Sequence, residues 1–316
     1  MTVLGATNQF LEILLAIAAA PGLLGWVNQC RAWLQNRRAP SLWQPYRGLY
    51  KLFHKDAVIA TNASVLFRLA PYVTFGTMVL AAAIIPSLGT RLPLTVAADG
   101  IALVGLLALA RVVISLAAMD VGTAFGAMGA RREMMVGFLA EPALLMTLFV
   151  AALISQTTSL PLIAERLSGE TFAIYPSLAF TAVAFTLVSL AENARIPVDN
   201  PATHLELTMI HEAMILEYSG RHLALMDWAA QLKLMLYGVL LANVFLPWGI
   251  AQSTGFIALS TGLAVVMVKL ALLGTALAVS ETVLAKMRLF RVPAFLNLAL
   301  LLALLGLLSH VILEVG

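Results

Sequence analysis

Residues 98–119 read ADGIALVGLLALARVVISLAAM. After Asp99 the run is almost wholly apolar, and its length matches the roughly 20 residues that a helix needs to cross a bilayer. Arg111 stands alone in its middle. A charge at the bilayer centre costs about 2.5–3.5 kcal/mol on insertion scales, so such a residue usually faces a cavity or a partner. This one stretch therefore sets both questions: how many such helices there are, and what the charges inside them meet. Seven further runs of the same kind lie near residues 8–29, 64–89, 134–156, 173–191, 228–250, 256–280 and 293–314. The expected fold is an all-α integral membrane protein, a bundle of eight transmembrane helices forming one membrane domain over residues 1–316. A β-barrel is excluded because the runs are continuously apolar and do not alternate. Composition agrees. The 316 residues are 61% hydrophobic and 11% charged, against about 45–50% and about 25% in soluble domains.

Loop charge orients the bundle. Arg31, Arg37, Arg38, Arg47, Lys51, Lys55 and Arg68 follow the first run, Arg131 and Arg132 the third, Arg195 and Arg221 the fifth, and Lys286, Arg288 and Arg291 the seventh. Only Arg91 and Arg166 fall on the opposite side. The expectation is both termini outside and the connectors after odd-numbered spans in the cytoplasm, in a cell inner membrane. The amino terminus has no basic segment ahead of its apolar run, so it reads as a retained first span, not a cleaved signal. Glu12 near its start is tolerable at an interface.

The net charge of +3 is no nucleic-acid signal, because no basic stripe with interleaved aromatics occurs. One cysteine, Cys30, excludes a disulfide framework and any cysteine-built iron–sulfur or zinc site. Any metal or redox cofactor then belongs to a partner. In the first connector Leu42, Tyr46, Leu49, Tyr50 and Phe53 recur at helical spacing among basic residues. That pattern predicts an amphipathic helix in the interface, serving either as a lipid anchor or as the border of a cavity. Gly122 and Gly126 give either a small-xxx-small helix contact or a glycine-rich connection between spans three and four.

The charges inside the spans are Arg111 with Asp120 at the end of the same run, Glu141, Lys233, Lys269 and Glu281. Burial disfavours the charged form and an opposite charge favours it, so groups pulled both ways suit a proton relay. The alternative is purely structural ion pairs, Arg111 with Asp120 and Lys233 with a glutamate. Between the fifth and sixth spans lies a long polar connector, residues 192–227, opening with ENARIPVDNPATHLELTMIHEAMILEYSG over 192–220. Its acids are Glu192, Asp199, Glu206, Glu212 and Glu217. Residues 202–218 after Pro201 read as a helix. His204, Glu206, His211 and Glu212 invite a metal reading, but the zinc-protease pattern of two histidines four apart is missing. An acidic surface facing a soluble partner, and a proton entrance, fit better.

The stretches AENARIPVDNP, HLEL and EYSG in this connector, RRAPSLWQPYRGLYKLF after the first span, GARREMMVGFLAEP opening the fourth and VLAKMRLFRVP before the eighth resemble the respiratory complex I subunit 1 family. More closely they resemble the homologous membrane subunit of group 4 [NiFe] hydrogenases, of the formate hydrogenlyase type. The resemblance runs over nearly the whole chain. It implies eight spans, no redox centre in the chain itself, and docking of a soluble arm whose subunits carry iron–sulfur clusters and nickel–iron, or reduce quinone. It also implies antiporter-like membrane partners and coupling of electron transfer to proton translocation. Glu192, Arg195, Pro197, Asp199, Glu206, Glu217 and Tyr218 match the family's connector; Arg131, Arg132 and Glu141 match the start of span four; Arg111, Asp120 and Lys233 match the hydrogenase branch. The dense glutamates of the complex I branch are replaced by Asn200, Ala202 and His204, which favours the hydrogenase branch over a quinone pocket of the complex I kind. Glu141, Glu192, Asp199, Glu206, Asp120 and Lys233 are then expected on the proton path. Arg111, Arg131, Arg132, Arg195, Glu217 and Tyr218 are expected in coupling or docking. The competing readings are the quinone-binding subunit of an NADH-quinone oxidoreductase, an independent ion transporter, or a passive anchor.

Overall fold

A computed structural model of the chain describes residues 3–89, 98–169, 176–200, 209–251 and 256–314. The described residues form helices and turns, with no strand beyond two isolated bridges, Gly89 to Ala251 and Asp99 to Ser159. In chain order the helices are α1 (Val3–Leu34), α2 (Gln44–Phe53), α3 (Val65–Ile84), α4 (Gly100–Asp120), α5 (Ala124–Ile154), α6 (Leu160–Gly169) and α7 (Pro176–Glu192). They continue with α8 (His211–Ile215), α9 (Gly220–Leu240, extended by a π turn to Phe245), α10 (Phe256–Val283) and α11 (Val292–Ser309). Seven of them, α1, α3, α4, α5, α9, α10 and α11, are long and apolar enough to cross a membrane. The expected fifth span corresponds to α7, a shorter apolar helix of 17 residues. Expected Arg91, His204 and Glu206 lie outside the described residues.

Side-chain placement follows from lipid as the outer solvent. Ile101, Phe138, Leu272 and Leu301 are exposed on the outer faces, where lipid takes the part that a protein core plays for a soluble helix. Helix α9 is the most buried of the long helices, and it also carries Asp227, Gln231 and Lys233. A polar helix is tolerated in a membrane when its neighbours shield it from lipid. Helix α9 lies against α1 and α3; α3 packs on α4, α4 on α5, and α5 on α7 and α11. On its other flank α10 packs on α1 and barely meets α7.

Several expectations need correction. The fourth span does not begin at residue 134. Helix α5 starts at Ala124, capped by Thr123, whose hydroxyl accepts from Gly126 N. Arg131, Arg132 and Glu133 are therefore helical and not in a loop. Alanine, methionine, arginine and glutamate are all strong helix formers, so charge interrupts the apolar run but not the helix. At 31 residues α5 is about 46 Å long, well beyond the roughly 30 Å hydrocarbon core. Glu12 is buried within the chain and accepts a hydrogen bond from Ser87 Oγ, just beyond the end of α3, at 2.9 Å. Gly122 has φ +78, ending α4 in a conformation open to glycine. Gly126 lets α5 press on α4, since a Cβ there would stand 2.7 Å from Ala118 O.

The amphipathic helix forms as α2. Leu49 is buried, Tyr50 exposed, and Tyr46 Oη donates to Ala18 O at 2.6 Å, tying α2 to α1. Burial pushes the Tyr46 phenol above its usual pKa.

Candidate functional site

Helix α4 aims Arg111 into the bundle. Its Nε donates to Glu133 Oε1 at 3.4 Å, its Nη1 to Glu141 Oε1 at 2.5 Å, and its Nη2 to Glu192 Oε1. One guanidinium thus gathers carboxylates from α5 and from the last residue of α7. Lys233 on α9 completes the cluster, 2.9 Å from Glu192 Oε2 and donating to the Glu192 carbonyl at 2.7 Å. A lysine is a point donor, whereas the planar guanidinium fork can hold several acceptors at once. That division matches what each does here.

The expected pair Arg111–Asp120 does not exist. Nine residues along an α-helix is about two and a half turns, so the two side chains leave opposite faces of α4. Asp120 instead accepts from Ser64 N at 2.8 Å, fixing the start of α3. The expected pairing of Lys233 with a glutamate is present, and the glutamate is Glu192.

Room for the guanidinium comes from Gly137. A Cβ there would lie 2.5 Å from Arg111 Nη1 and 2.7 Å from its Cδ. Glu133, Gly137 and Glu141 are spaced by four, which places them on one face of α5. The reading from sequence omitted Gly137 and gave Glu133 no role; the i, i+4, i+8 pattern was the available signal.

Counted together, Glu133, Glu141 and Glu192 face Arg111 and Lys233, three carboxylates against two cations. By formal charge the cluster therefore carries one more carboxylate than cations. The carboxylates differ in access: the side chain of Glu192 is 1% exposed and that of Glu141 is 34% exposed.

Two neighbouring cavities lie between the cluster and the end of the bundle where the basic residues gather. One of about 70 Å³ is lined by Arg111, Glu133, Glu192 and Lys233. A larger one of about 300 Å³ is lined by Arg31, Arg195, Asp199, Glu212 and Asp227. Asn193, Ala194, His211 and Ala230 border both. The wall between them is the turn after α7, held from two sides. Arg195 Nη1 donates to Glu281 Oε1 at 3.1 Å, and Arg31 lies 3.5 Å from the same carboxylate. Lys286 Nζ donates to Asp199 Oδ1 at 2.6 Å, while Asp199 Oδ2 accepts from the backbone N–H groups of Ile210 and His211, both at 3.3 Å.

The remaining expected residues are dispersed. Arg132 donates to Met209 O at 2.7 Å, holding the chain's own connector. Arg131 and Glu217 are exposed. Tyr218 is buried, its ring stacked on Phe67 with centroids 4.0 Å apart; burial and the nearby Asp120 hold its phenol above the usual pKa. Lys269 donates to Ala242 O at 3.0 Å, closing the end of α9. Among the described residues no group of three or more His, Cys, Asp or Glu side chains is arranged to hold a metal ion.

The chain matches the NADH dehydrogenase family over residues 8–311. It is 34% identical to hydrogenase-4 component C of Escherichia coli K12 over 249 residues, 78% of each chain. It is 33% identical to formate hydrogenlyase subunit 4 of the same organism over 243 residues, 77% of this chain and 78% of the relative. A chain in the structure of the membrane-bound sulfane sulfur reductase, an archaeal respiratory membrane complex, shares the fold with a TM-score of 0.82 at 20% identity, over 96% of this chain and 99% of that one. A helical membrane bundle gathered around an arginine–glutamate cluster, matched over nearly its whole length, belongs to the NADH dehydrogenase subunit 1 family.

Proposed function

We propose that this chain is the membrane subunit of a complex I-like energy-converting oxidoreductase of the hydrogenase or formate hydrogenlyase type. It docks a soluble redox arm at its basic end and couples electron transfer there to proton movement through the bundle. The observation that carries this reading is the imbalance in the buried cluster, three carboxylates against two cations. An excess of carboxylate beside two cations in a low-dielectric bundle responds strongly to a change of charge at the arm. Relatives named as a hydrogenase component and a formate hydrogenlyase subunit support the assignment.

In this reading α7 also crosses the membrane, as the fifth of eight spans, both termini lie outside, and the connector after α7 is cytoplasmic. Protons enter through the cavity bordered by Asp199, Glu212 and Asp227, pass Lys233 and Glu192, and leave through the more open Glu141 toward antiporter-like membrane partners. Arg195 couples the connector to α10. The exposed Arg131 and Glu217, with Glu206 beyond the described residues, offer charge to soluble hydrogenase-like and iron–sulfur partners. Those partners hold the nickel–iron and iron–sulfur groups; this chain supplies none.

Purifying the tagged chain from native membranes tests the assignment. Soluble metal-containing subunits should co-purify in fixed ratio. A chain that purifies alone and moves ions unaided would be an independent transporter.

A further inference from the structure

A proton route from Glu192 to Glu141 meets an obstacle. The two carboxylates are held by Nη2 and Nη1 of the same Arg111. A guanidinium does not give up a proton inside a protein, so Arg111 holds both acids but cannot pass a proton between them. The step needs a group that both accepts and donates, as a hydroxyl does. One stands beside the cluster and takes no part in its ion pairs: the phenol of Tyr237.

Tyr237 lies four residues after Lys233 on α9, so the two side chains share a face one turn apart. Lys233 meets Glu192 at 2.9 Å, which brings Tyr237 alongside that carboxylate, a turn farther from the basic end. Glu141 is displaced in the same sense. It stands two turns past Glu133 on α5, a helix that also starts beside the connector, where Arg132 holds Met209 O. The Tyr237 hydroxyl interacts electrostatically with Glu192, Arg111 and Glu141 together.

The residue is 1% exposed, and its ring packs on Phe185 of α7 with centroids 5.8 Å apart. Even so, among the described residues Tyr237 Oη has no hydrogen-bond partner. Beyond its ion pair with Lys233, neither has Glu192 Oε2. A buried polar group left unbonded costs about 1–3 kcal/mol. Phenylalanine would pack as well without that cost, so packing does not account for the hydroxyl.

We propose that Tyr237 carries the proton from Glu192 to Glu141. Once a proton reaches Glu192, its carboxyl O–H bond breaks as Tyr237 Oη takes that proton. The phenolic O–H bond breaks in the same event, and its proton passes toward Glu141. Rotation about the Cζ–Oη bond then restores the starting orientation. One proton leaves Glu192, one arrives at Glu141, and the phenol ends as it began. This rests on the proton route proposed above and supplies the step that Arg111 interrupts.

Tyr237→Phe tests it, because it keeps the ring and removes only the relay atom. In inverted vesicles carrying the assembled complex, protons translocated per electron pair should fall about tenfold or more, as loss of a positioned proton-transfer group predicts. Electron transfer and the melting temperature of the purified complex should stay at wild-type values. Glu192→Gln, measured in parallel, separates the two levels of the account. An unchanged ratio in Tyr237→Phe with a collapsed ratio in Glu192→Gln would overturn the role of Tyr237 and leave the proton route standing. Unchanged ratios in both would overturn the route as well. Loss of translocation together with a lower melting temperature or lost electron transfer would make the hydroxyl a structural group, and would equally overturn the proposal.

Discussion

Arg111 holds three carboxylates because Gly137 leaves it space, and both residues can be tested singly. Gly137→Ala brings a methyl to within 2.5 Å of Nη1. Overpacking of this kind costs about 1–3 kcal/mol, and here it pushes the guanidinium away from Glu141. We expect Gly137→Ala to reduce proton coupling as Glu141→Gln does, with a lower melting temperature than Glu141→Gln shows. Equal coupling to wild type would remove Gly137 from the site. Lys233→Met takes one of two cations from a nearly inaccessible carboxylate. Removing one partner of a buried pair costs about 3–5 kcal/mol, so thermal stability of the purified complex should fall markedly. Lys233→Met combined with Glu192→Gln should recover most of it, because the cluster then loses one charge of each sign.

At the scale of elements, the apolar runs disclosed helices well because a hydrocarbon slab demands a minimum length. Each of the eight expected spans coincides with a helix, and α2 forms where the amphipathic pattern stands. What length could not disclose was where charge sits within a helix. Arg131, Arg132 and Glu133 read as a connector but belong to α5. Conversely, expected helical residues after Pro201 yield among the described residues only α8, five residues long. Pairings were less legible still. Arg111, Glu141, Glu192 and Lys233 are each visible in the sequence, but they come from α4, α5, α7 and α9, and only packing joins them. Two predictions belong here. Glu281→Gln removes the anion shared by Arg31 and Arg195, so protease cleavage in residues 193–200 should accelerate by tenfold or more; unchanged cleavage would show that Lys286 and Asp199 suffice to hold the turn. Tyr46→Phe deletes the 2.6 Å bond to Ala18 O and should cost about 0.5–1.5 kcal/mol, read as a small fall in melting temperature with the lipid association of α2 preserved.

On the scale of the whole molecule, a bundle with lipid-facing apolar sides keeps its charges in two places: a cluster with an excess of carboxylate, and a basic end, with two neighbouring cavities between them. The sequence identified both sets of charges through the family's motifs and left their adjacency unseen, because the two cavities meet at the turn of residues 193–195, whose neighbours are distant in the chain. If protons cross that turn, neutralising Glu192 beside it should separate electron flow from proton movement. The most direct measurement is the number of protons translocated per electron pair in inverted membrane vesicles carrying the assembled complex with Glu192→Gln. Electron transfer should persist while translocation falls more than tenfold. An unchanged proton-to-electron ratio, with the complex intact, would contradict the account.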